Sequence, residues 1–482
     1  MTVAVPASPD GAPRRDTDQS LVVQLTRQLV HRIERDALRP GSRLPSIRQL
    51  AAETGVSRFT VVEAYDRLVA SGQAESRRGA GFFVAARAGS PLAPIARGAE
   101  PVVTDTGIDI RWLLRNMFRD ATAANQAGGG LMPPEWLDAE LVSASVRAVG
   151  RSARDSLLGY GSAQGYGPLR QQLAARLQAD GIPAHPDHML TTSGVTHALD
   201  LIARHLVQPG DTVLVEDPAW FLVFGRFTAF GARPIGVPRG PDGPDLHALA
   251  RLAALHKPKL FLVNGAVHNP TGYSLSAGAA YGVLRIAEQH DFVVVEDDTY
   301  GDLHPGQPIR LAALDQLNRV IHVGGFSKTL AASLRVGYVA ASPGIVQALT
   351  DLKILTSLPT GELGERTVHR ILAEGHYRRH LARVRARVDL ERERTLKALL
   401  KLGVKVDSPP AGMFVWGDCG CDTERMARRG AERGLVLAPG TLFSPGQMPS
   451  TRMRFSAATA SNISSLRIIE TLLDEAAPKS DH

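Results

Sequence analysis

The amino-acid sequence predicts an α/β protein in two parts, a small helical head carrying a β-ribbon and a large domain on a mainly parallel sheet. Three observations lead there. The 482 residues exceed what one hydrophobic core organises. Helical periodicity near the N-terminus gives way, beyond Ile108, to short unbroken apolar runs. Those runs alternate with longer helical stretches, the pattern of a sheet covered on both faces.

The head is legible residue by residue. Met1 to about Asp18 is rich in Pro, Ala, Asp and Arg without periodicity and predicts a disordered arm. Leu21, Val22, Leu25, Leu29 and Ile33 recur at helical spacing, and Arg39-Pro40-Gly41 ends that amphipathic helix. Ser46 precedes a second helical stretch, with Ile47, Leu50 and Ala51, which breaks at Gly55. Ser57 is placed as the N-cap of a third helix that buries Val61, Val62, Ala64, Tyr65 and Leu68. After Gly72, Ala74 to Val84 holds Arg77-Arg78-Gly79-Ala80-Gly81 between β-prone flanks, which predicts a hairpin with a basic tip.

Three short helices, a tight turn between the last two and a β-ribbon make a winged helix-turn-helix. A helix fits the major groove and aims its first turn at base edges and phosphates, so Ser57, Arg58 and Thr60 are candidate DNA contacts. Arg43, Arg48, Arg77 and Arg78 are the candidate contacts to the sugar-phosphate backbone. Charge agrees, because residues 1–90 hold thirteen arginines against nine acids in a chain of net charge +7. The run Pro40-Gly41-Ser42-Arg43-Leu44-Pro45-Ser46-Ile47-Arg48-Gln49-Leu50-Ala51, followed by Gly55-Val56-Ser57-Arg58-Phe59-Thr60-Val61, resembles the DNA-binding domain of the GntR family. The resemblance covers residues 18–85. Residues 86–107, dominated by Pro, Gly, Ala and Arg, read as a linker, and 108–478 as the large domain.

Several classes are excluded by composition. No apolar run reaches the roughly 18 residues of a membrane span, and no secretory signal opens the chain, so a cytoplasmic protein without a membrane partner is expected. The two cysteines, Cys419 and Cys421, are too close in sequence to make a metal site without further ligands, and no metal is expected.

In the large domain the strand ends carry the chemistry. Val213-Leu214-Val215, Leu260-Phe261-Leu262-Val263, Phe292-Val293-Val294-Val295 and Val320-Ile321-His322-Val323 are unbroken apolar strands, each followed at once by polar residues. Ligands of such sheets gather beyond the carboxyl ends of strands. Ser193-Gly194-Val195-Thr196 opens a helix whose N-terminus suits a phosphate, although many N-caps look alike. Trp220 follows the second strand and Asn269-Pro270-Thr271-Gly272 the third, where ordinary core packing and an ordinary tight turn would use the same residues. Glu296-Asp297-Asp298 is three consecutive acids, which implies a buried cationic partner unless the loop is solvated. Ser327-Lys328, with Arg335 seven positions on, offers an amine nucleophile beside phosphate-binding groups.

Taken in order, these signals resemble the fold-type-I pyridoxal-phosphate (PLP) enzymes of the aspartate aminotransferase class over residues 110–475. The resemblance implies PLP as cofactor, a small C-terminal α+β subdomain, a Schiff base at Lys328, Asp297 on the pyridine nitrogen and Asn269 on the ring hydroxyl. It further implies Trp220 stacked on the ring, Tyr300 near the ring oxygen and Arg335 on the phosphate beside Gly194, Val195, Thr196 and Ser327. Tyr160 matches the tyrosine that reaches a neighbouring subunit's phosphate, and Arg454, favoured over Arg452 by register, matches the arginine that grips a substrate carboxylate. Val195 and Gly325 stand where the family has hydroxyl residues, so fewer phosphate contacts are expected.

A GntR-type head on such a body resembles the MocR subfamily of bacterial regulators. That implies a homodimer that binds DNA and senses PLP, or an amine or amino acid, through imine chemistry at Lys328. A PLP-dependent aminotransferase with an accessory head, and a cofactor-free DNA-binding scaffold, are the alternatives.

Overall fold

The computed structural model describes residues 20–35, 38, 40–77, 79–85 and 125–476. Contacts divide the chain into two units, residues 1–106 and 107–482. The expected linker and Arg78 lie outside the described residues.

In the first unit, helices α1 (Leu21–Arg35), α2 (Ile47–Thr54) and α3 (Arg58–Ala70) precede strands β1 (Ala74–Arg77) and β2 (Gly81–Val84). Two serines set the starts of α2 and α3. Ser46 Oγ accepts the Gln49 N–H at 3.2 Å and Ser57 Oγ accepts the Thr60 N–H at 3.1 Å, each satisfying a donor that the helix leaves free. Gly55 closes α2 with a left-handed φ of 70°, which makes the turn between the two helices tight. Leu25, Leu29, Leu50, Val61, Ala64, Tyr65 and Leu68 bury together, with Phe82 of β2 stacked on Tyr65 at 4.4 Å. β1 and β2 pair antiparallel as the wing.

The second unit is built on an eight-stranded sheet ordered β3-β10-β9-β8-β7-β4-β5-β6. Its strands are β3 (Met189–Thr192), β4 (Thr212–Asp217), β5 (Arg233–Gly240), β6 (Gly243–Pro244), β7 (Leu260–Val263), β8 (Val293–Asp297), β9 (Val320–Gly325) and β10 (Gly337–Ala340). From β9 to β5 neighbours run parallel, while β10 is antiparallel to both β3 and β9. The four apolar runs are β4, β7, β8 and β9, side by side at the centre. Their residues divide between two cores: Leu214, Phe261, Val263, Val294 and Val320 face one, while Val213, Val215, Leu260, Leu262, Val295, Ile321 and Val323 face the other. Burial on both faces is why these runs are almost wholly apolar, the exception being His322 of β9, which is buried and bonded to Glu296.

A smaller sheet, β11 (Phe414–Asp418), β13 (Arg452–Ser456) and β12 (Ala438–Pro439), is antiparallel throughout. It packs with the end of the long helix His376–Lys401 and the helices Thr423–Glu432 and Ile463–Ala476 around a third core. Among the described residues no helix is long and apolar enough to cross a membrane, and no His, Cys, Asp and Glu group could hold a metal ion.

Candidate active site and DNA-facing head

Parallel strands deliver their C-terminal ends to one edge of the sheet, and a cavity of about 560 Å³ opens there. Of the residues singled out in the sequence, Val195, Thr196, Trp220, Asn269, Asp297, Tyr300, Ser327, Lys328 and Arg335 line it. β4 brings Trp220, β7 leads to Asn269, β8 ends on Asp297, and the turn after β9 brings Lys328.

Lys328 is held by a bond from Nζ to the Gly130 carbonyl at 2.7 Å and lies 5.9 Å from the centre of the Tyr300 ring. Its ammonium is pushed down from the usual lysine range to about 8, first by burial and then by the Arg454 guanidinium, with Asp297 opposing. About a tenth of the amine is therefore neutral and nucleophilic at pH 7, far more than an ordinary lysine offers.

The three consecutive acids do not share one cation. Glu296 turns to the Leu311 and Ala312 N–H groups at 2.6 and 3.1 Å and to His322 Nδ1 at 3.0 Å. Asp298 pairs with Arg310 Nε at 2.9 Å. Strand alternation sends only Asp297 to the cavity, where the Thr299 N–H donates to Oδ1 at 2.9 Å and the Thr299 hydroxyl donates to the same oxygen. Burial raises the Asp297 carboxyl, and those two donors counteract it. Among the described residues no donor reaches Oδ2, so a protonated ring nitrogen fits there.

At the phosphate end Gly194 caps the helix Val195–Leu206 with φ 83° and no side-chain cap. Arg335, itself in the left-handed region at φ 52°, reaches across to the Ser193 carbonyl from Nη2 at 2.8 Å. The φ of 83° is what calls for glycine here; an added Cβ would also lie 2.5 Å from that Nη2, the movable end of the arginine side chain. Val195 and Gly325 fit each other. A Cβ added at Gly325 would meet Val195 Cγ2 at 3.0 Å, so the valine leaves little room for a side chain at 325.

Arg454 does not itself line the cavity; it is almost wholly buried, stacked over Phe414 at 4.4 Å and near Phe443 at 4.9 Å, and it adjoins the lining through Asn269. Nη1 donates to Asn269 Oδ1 at 2.8 Å and Nη2 to the Gly128 carbonyl at 2.6 Å. Its Nε has no partner, and among the described residues no carboxylate pairs with it. Arg452 instead pairs with Asp407 at 2.7 Å near the surface. Tyr160 is not brought to this cavity; it is 81 % exposed.

Several residues of the site escaped the sequence reading. The segment Gly128-Gly129-Gly130 crosses beneath both Lys328 and Arg454, and a Cβ at Gly128 would meet the Ala438 nitrogen at 2.4 Å. The glycine run was visible, but nothing local tied it to Lys328. Asn264 bonds the Asp297 carbonyl at 2.6 Å and accepts the Asn269 N–H at 2.7 Å, fixing two strand ends against each other. Its N–H is held by Glu216 at 2.8 Å, whose other oxygen pairs with Arg239.

In the head, Arg43, Arg48 and Arg58 are exposed, and among the described residues no carboxylate pairs with any of them. Arg77, also exposed, is engaged: it bonds Glu75 from Nε at 3.0 Å and lies over Phe83 at 4.5 Å. Ser57 and Thr60 face each other, hydroxyl to hydroxyl, at 2.8 Å.

Comparison with known proteins places both parts. Residues 123–472 match the family of class I and II aminotransferases, and residues 21–84 match the gntR family of bacterial regulatory proteins. The chain is 32 % identical to the HTH-type transcriptional regulator TauR of Rhodobacter capsulatus, covering 88 % of this chain and 90 % of the relative. It is 30 % identical to the probable rhizopine catabolism regulatory protein MocR of Rhizobium meliloti, covering 83 % of this chain and 82 % of the relative. The crystal structure of the Pyrococcus horikoshii kynurenine aminotransferase superposes with a TM-score of 0.71 at 27 % identity, over 77 % of this chain and 95 % of that one.

Proposed function

This chain belongs to the class I and II aminotransferase family, in the MocR-type branch where that domain follows a GntR-type head, and from that premise we propose that its cavity senses an amine-bearing effector on behalf of the head. It is a PLP-dependent DNA-binding transcriptional regulator.

In this reading Asp297 holds the ring nitrogen, and Asn269, Trp220 and Tyr300 surround the ring. Arg335, Ser327, Thr196 and the open helix start hold the phosphate. PLP, when bound, supplies an aldehyde that condenses with amines and a ring that withdraws electrons from them. Lys328 presents its neutral amine to that aldehyde and takes or returns a proton at Nζ. Leu131, Leu222, Val223 and Leu262 exclude water around the effector's side chain.

The observation that carries the proposal is Arg454. An uncompensated buried cation is costly, and the carboxylate of an amino-acid effector supplies the missing charge and a partner for Nε. Such an effector would report its arrival by neutralising Arg454 while the Lys328 amine, freed, holds a proton at Nζ, and the head's action on DNA would follow the resulting change in the body.

The proposed assembly is a homodimer acting in the cytoplasm. Leu158, Tyr160, Leu355 and Leu358 are exposed apolar side chains on segments that Lys353 ties together through the Ala163 carbonyl at 2.8 Å and the Thr360 hydroxyl at 3.3 Å. A patch of this kind is the normal mark of a subunit interface. It would bring Tyr160 to the partner's phosphate.

Transamination is the second reading, favoured by Asp297 and Lys328 lining the same cavity. Two measurements test the pair. Lys328→Ala should abolish the visible absorbance of covalently held PLP, and an unchanged spectrum rejects a role for that amine. Sustained turnover of an amino-acid and keto-acid pair by the wild type would favour the enzyme over the sensor.

A further inference from the structure

The first turn of α3 distributes its polar groups unexpectedly. Ser57 Oγ accepts the Thr60 N–H, and the two hydroxyls bond each other, so the cap engages two of the three side chains that the sequence offers for DNA contacts. Arg58 remains, exposed and without a carboxylate partner among the described residues. Between Arg58 and Thr60 sits Phe59, 76 % exposed, the most exposed of the described large apolar side chains in the head. Tyr65 and Phe82, the head's other aromatics near this fold's centre, pack against each other. Phe59 contributes nothing to that core.

A phenyl ring left in water at the tip of a helix is a cost that folding does not offset. Its surroundings indicate what covers it. Arg58 beside it is cationic, and Arg43 and Arg48 add exposed positive charge to the same unit, which suits a polyanion and disfavours a second basic surface. Along α3 the next acid, Glu63, is neutralised by Arg67 at 3.2 Å. In the major groove, the one apolar group on a base edge is the thymine 5-methyl, and a phenyl ring is among the side chains that meet it.

We propose that Phe59 is a specificity-determining residue of the head, reading a thymine methyl in the major groove while Arg58 contacts its neighbourhood by charge and hydrogen bonding. The inference rests on the reading of α3 as the recognition helix and adds what that helix recognises. Burying one methyl against the ring is worth about fourfold in affinity, from roughly 0.8 kcal/mol per buried CH₂ and 1.4 kcal/mol per tenfold.

The test uses the full-length protein and a pool of random-sequence duplexes, from which bound sequences are selected. Each thymine of the selected site is then replaced in turn by deoxyuridine, which removes only the methyl, and affinity is read by fluorescence anisotropy. The wild type should lose about fourfold at one thymine per half-site. Phe59→Asn, at a solvent-exposed position, should keep its thermal unfolding midpoint, show no loss at that thymine and select a site relaxed there. Indifference of the wild type to every deoxyuridine, an equal loss in Phe59→Asn, or a selected site without thymine overturns the inference while leaving DNA binding intact. Failure of the wild type to enrich any sequence overturns the recognition-helix reading as well, and Arg58→Ala separates the two by weakening every duplex alike.

Discussion

The two units use unpaired arginine in opposite ways. Arg43, Arg48 and Arg58 of the head stand in water, where an unpaired guanidinium costs little and waits for a dense line of phosphates. Arg454 of the body is almost wholly buried with Nε unsatisfied, where the same group is expensive without a counter-charge. Solvated cations give affinity that salt controls; a desolvated one gives selectivity for a single ligand group. The difference separates charges that give the head affinity for any DNA backbone from a buried charge that, in the proposed reading, selects a carboxylate.

Salt should break the symmetry most visibly. Counting three arginines per head in a dimer, raising salt fourfold should weaken DNA binding by about a thousandfold, measured by anisotropy. Effector uptake, followed by the absorbance of bound PLP, should change less, because Asp297 and Arg454 are buried and only Arg335 stands exposed.

Next in size is Arg454→Met. Affinity for amino acids should fall by roughly 2–5 kcal/mol, the usual consequence of truncating one member of a buried charge pair, while amines lacking a carboxylate bind as before. The cofactor-free variant should also unfold at a higher temperature than wild type, since an uncompensated buried cation has been removed. Equal losses for amines and amino acids would place the carboxylate elsewhere.

Val195→Thr together with Gly325→Ser restores both phosphate hydroxyls. Each charged hydrogen bond is worth about 1.5–3 kcal/mol, so PLP should bind at least about tenfold more tightly by equilibrium dialysis. Gly325→Ser alone should gain less, because its Cβ would press on Val195 Cγ2 at 3.0 Å.

The smallest effect is on pH. Only the neutral amine of Lys328 attacks an aldehyde, and its pKa in the folded protein is lowered to about 8. Covalent uptake of PLP should therefore accelerate about tenfold per pH unit below that value and level off above it. In Arg454→Met a repelling cation is gone, the lysine pKa rises, and the levelling-off moves to higher pH.

Legibility in the sequence followed the range of the contact. β4, β7, β8 and β9 could be read because burial on both faces leaves a continuous apolar run, and Asp297 and Lys328 because they follow such runs directly. Ser46 and Ser57 could be read as caps because a cap is a contact of three residues' span. The Gly130 carbonyl beneath Lys328 and the Asn269 amide on Arg454 lie 198 and 185 positions away, and no local periodicity encodes such pairings. Thr299 was adjacent yet unmarked, since nothing in Asp297-Asp298-Thr299 tells which acid the hydroxyl serves. The mutual bond of Ser57 and Thr60 was hidden for a different reason: both hydroxyls suit DNA as well as they suit each other.

The link between cavity and head is tested most directly by footprinting full-length protein on the DNA flanking its own gene, with PLP bound, before and after adding a panel of amino acids. At least one amino acid should change the footprint or its midpoint in the wild type, and the same addition should leave Lys328→Ala and Arg454→Met unchanged. A wild-type footprint indifferent to PLP and to every amino acid, or a Lys328→Ala protein that responds like the wild type, would contradict the account.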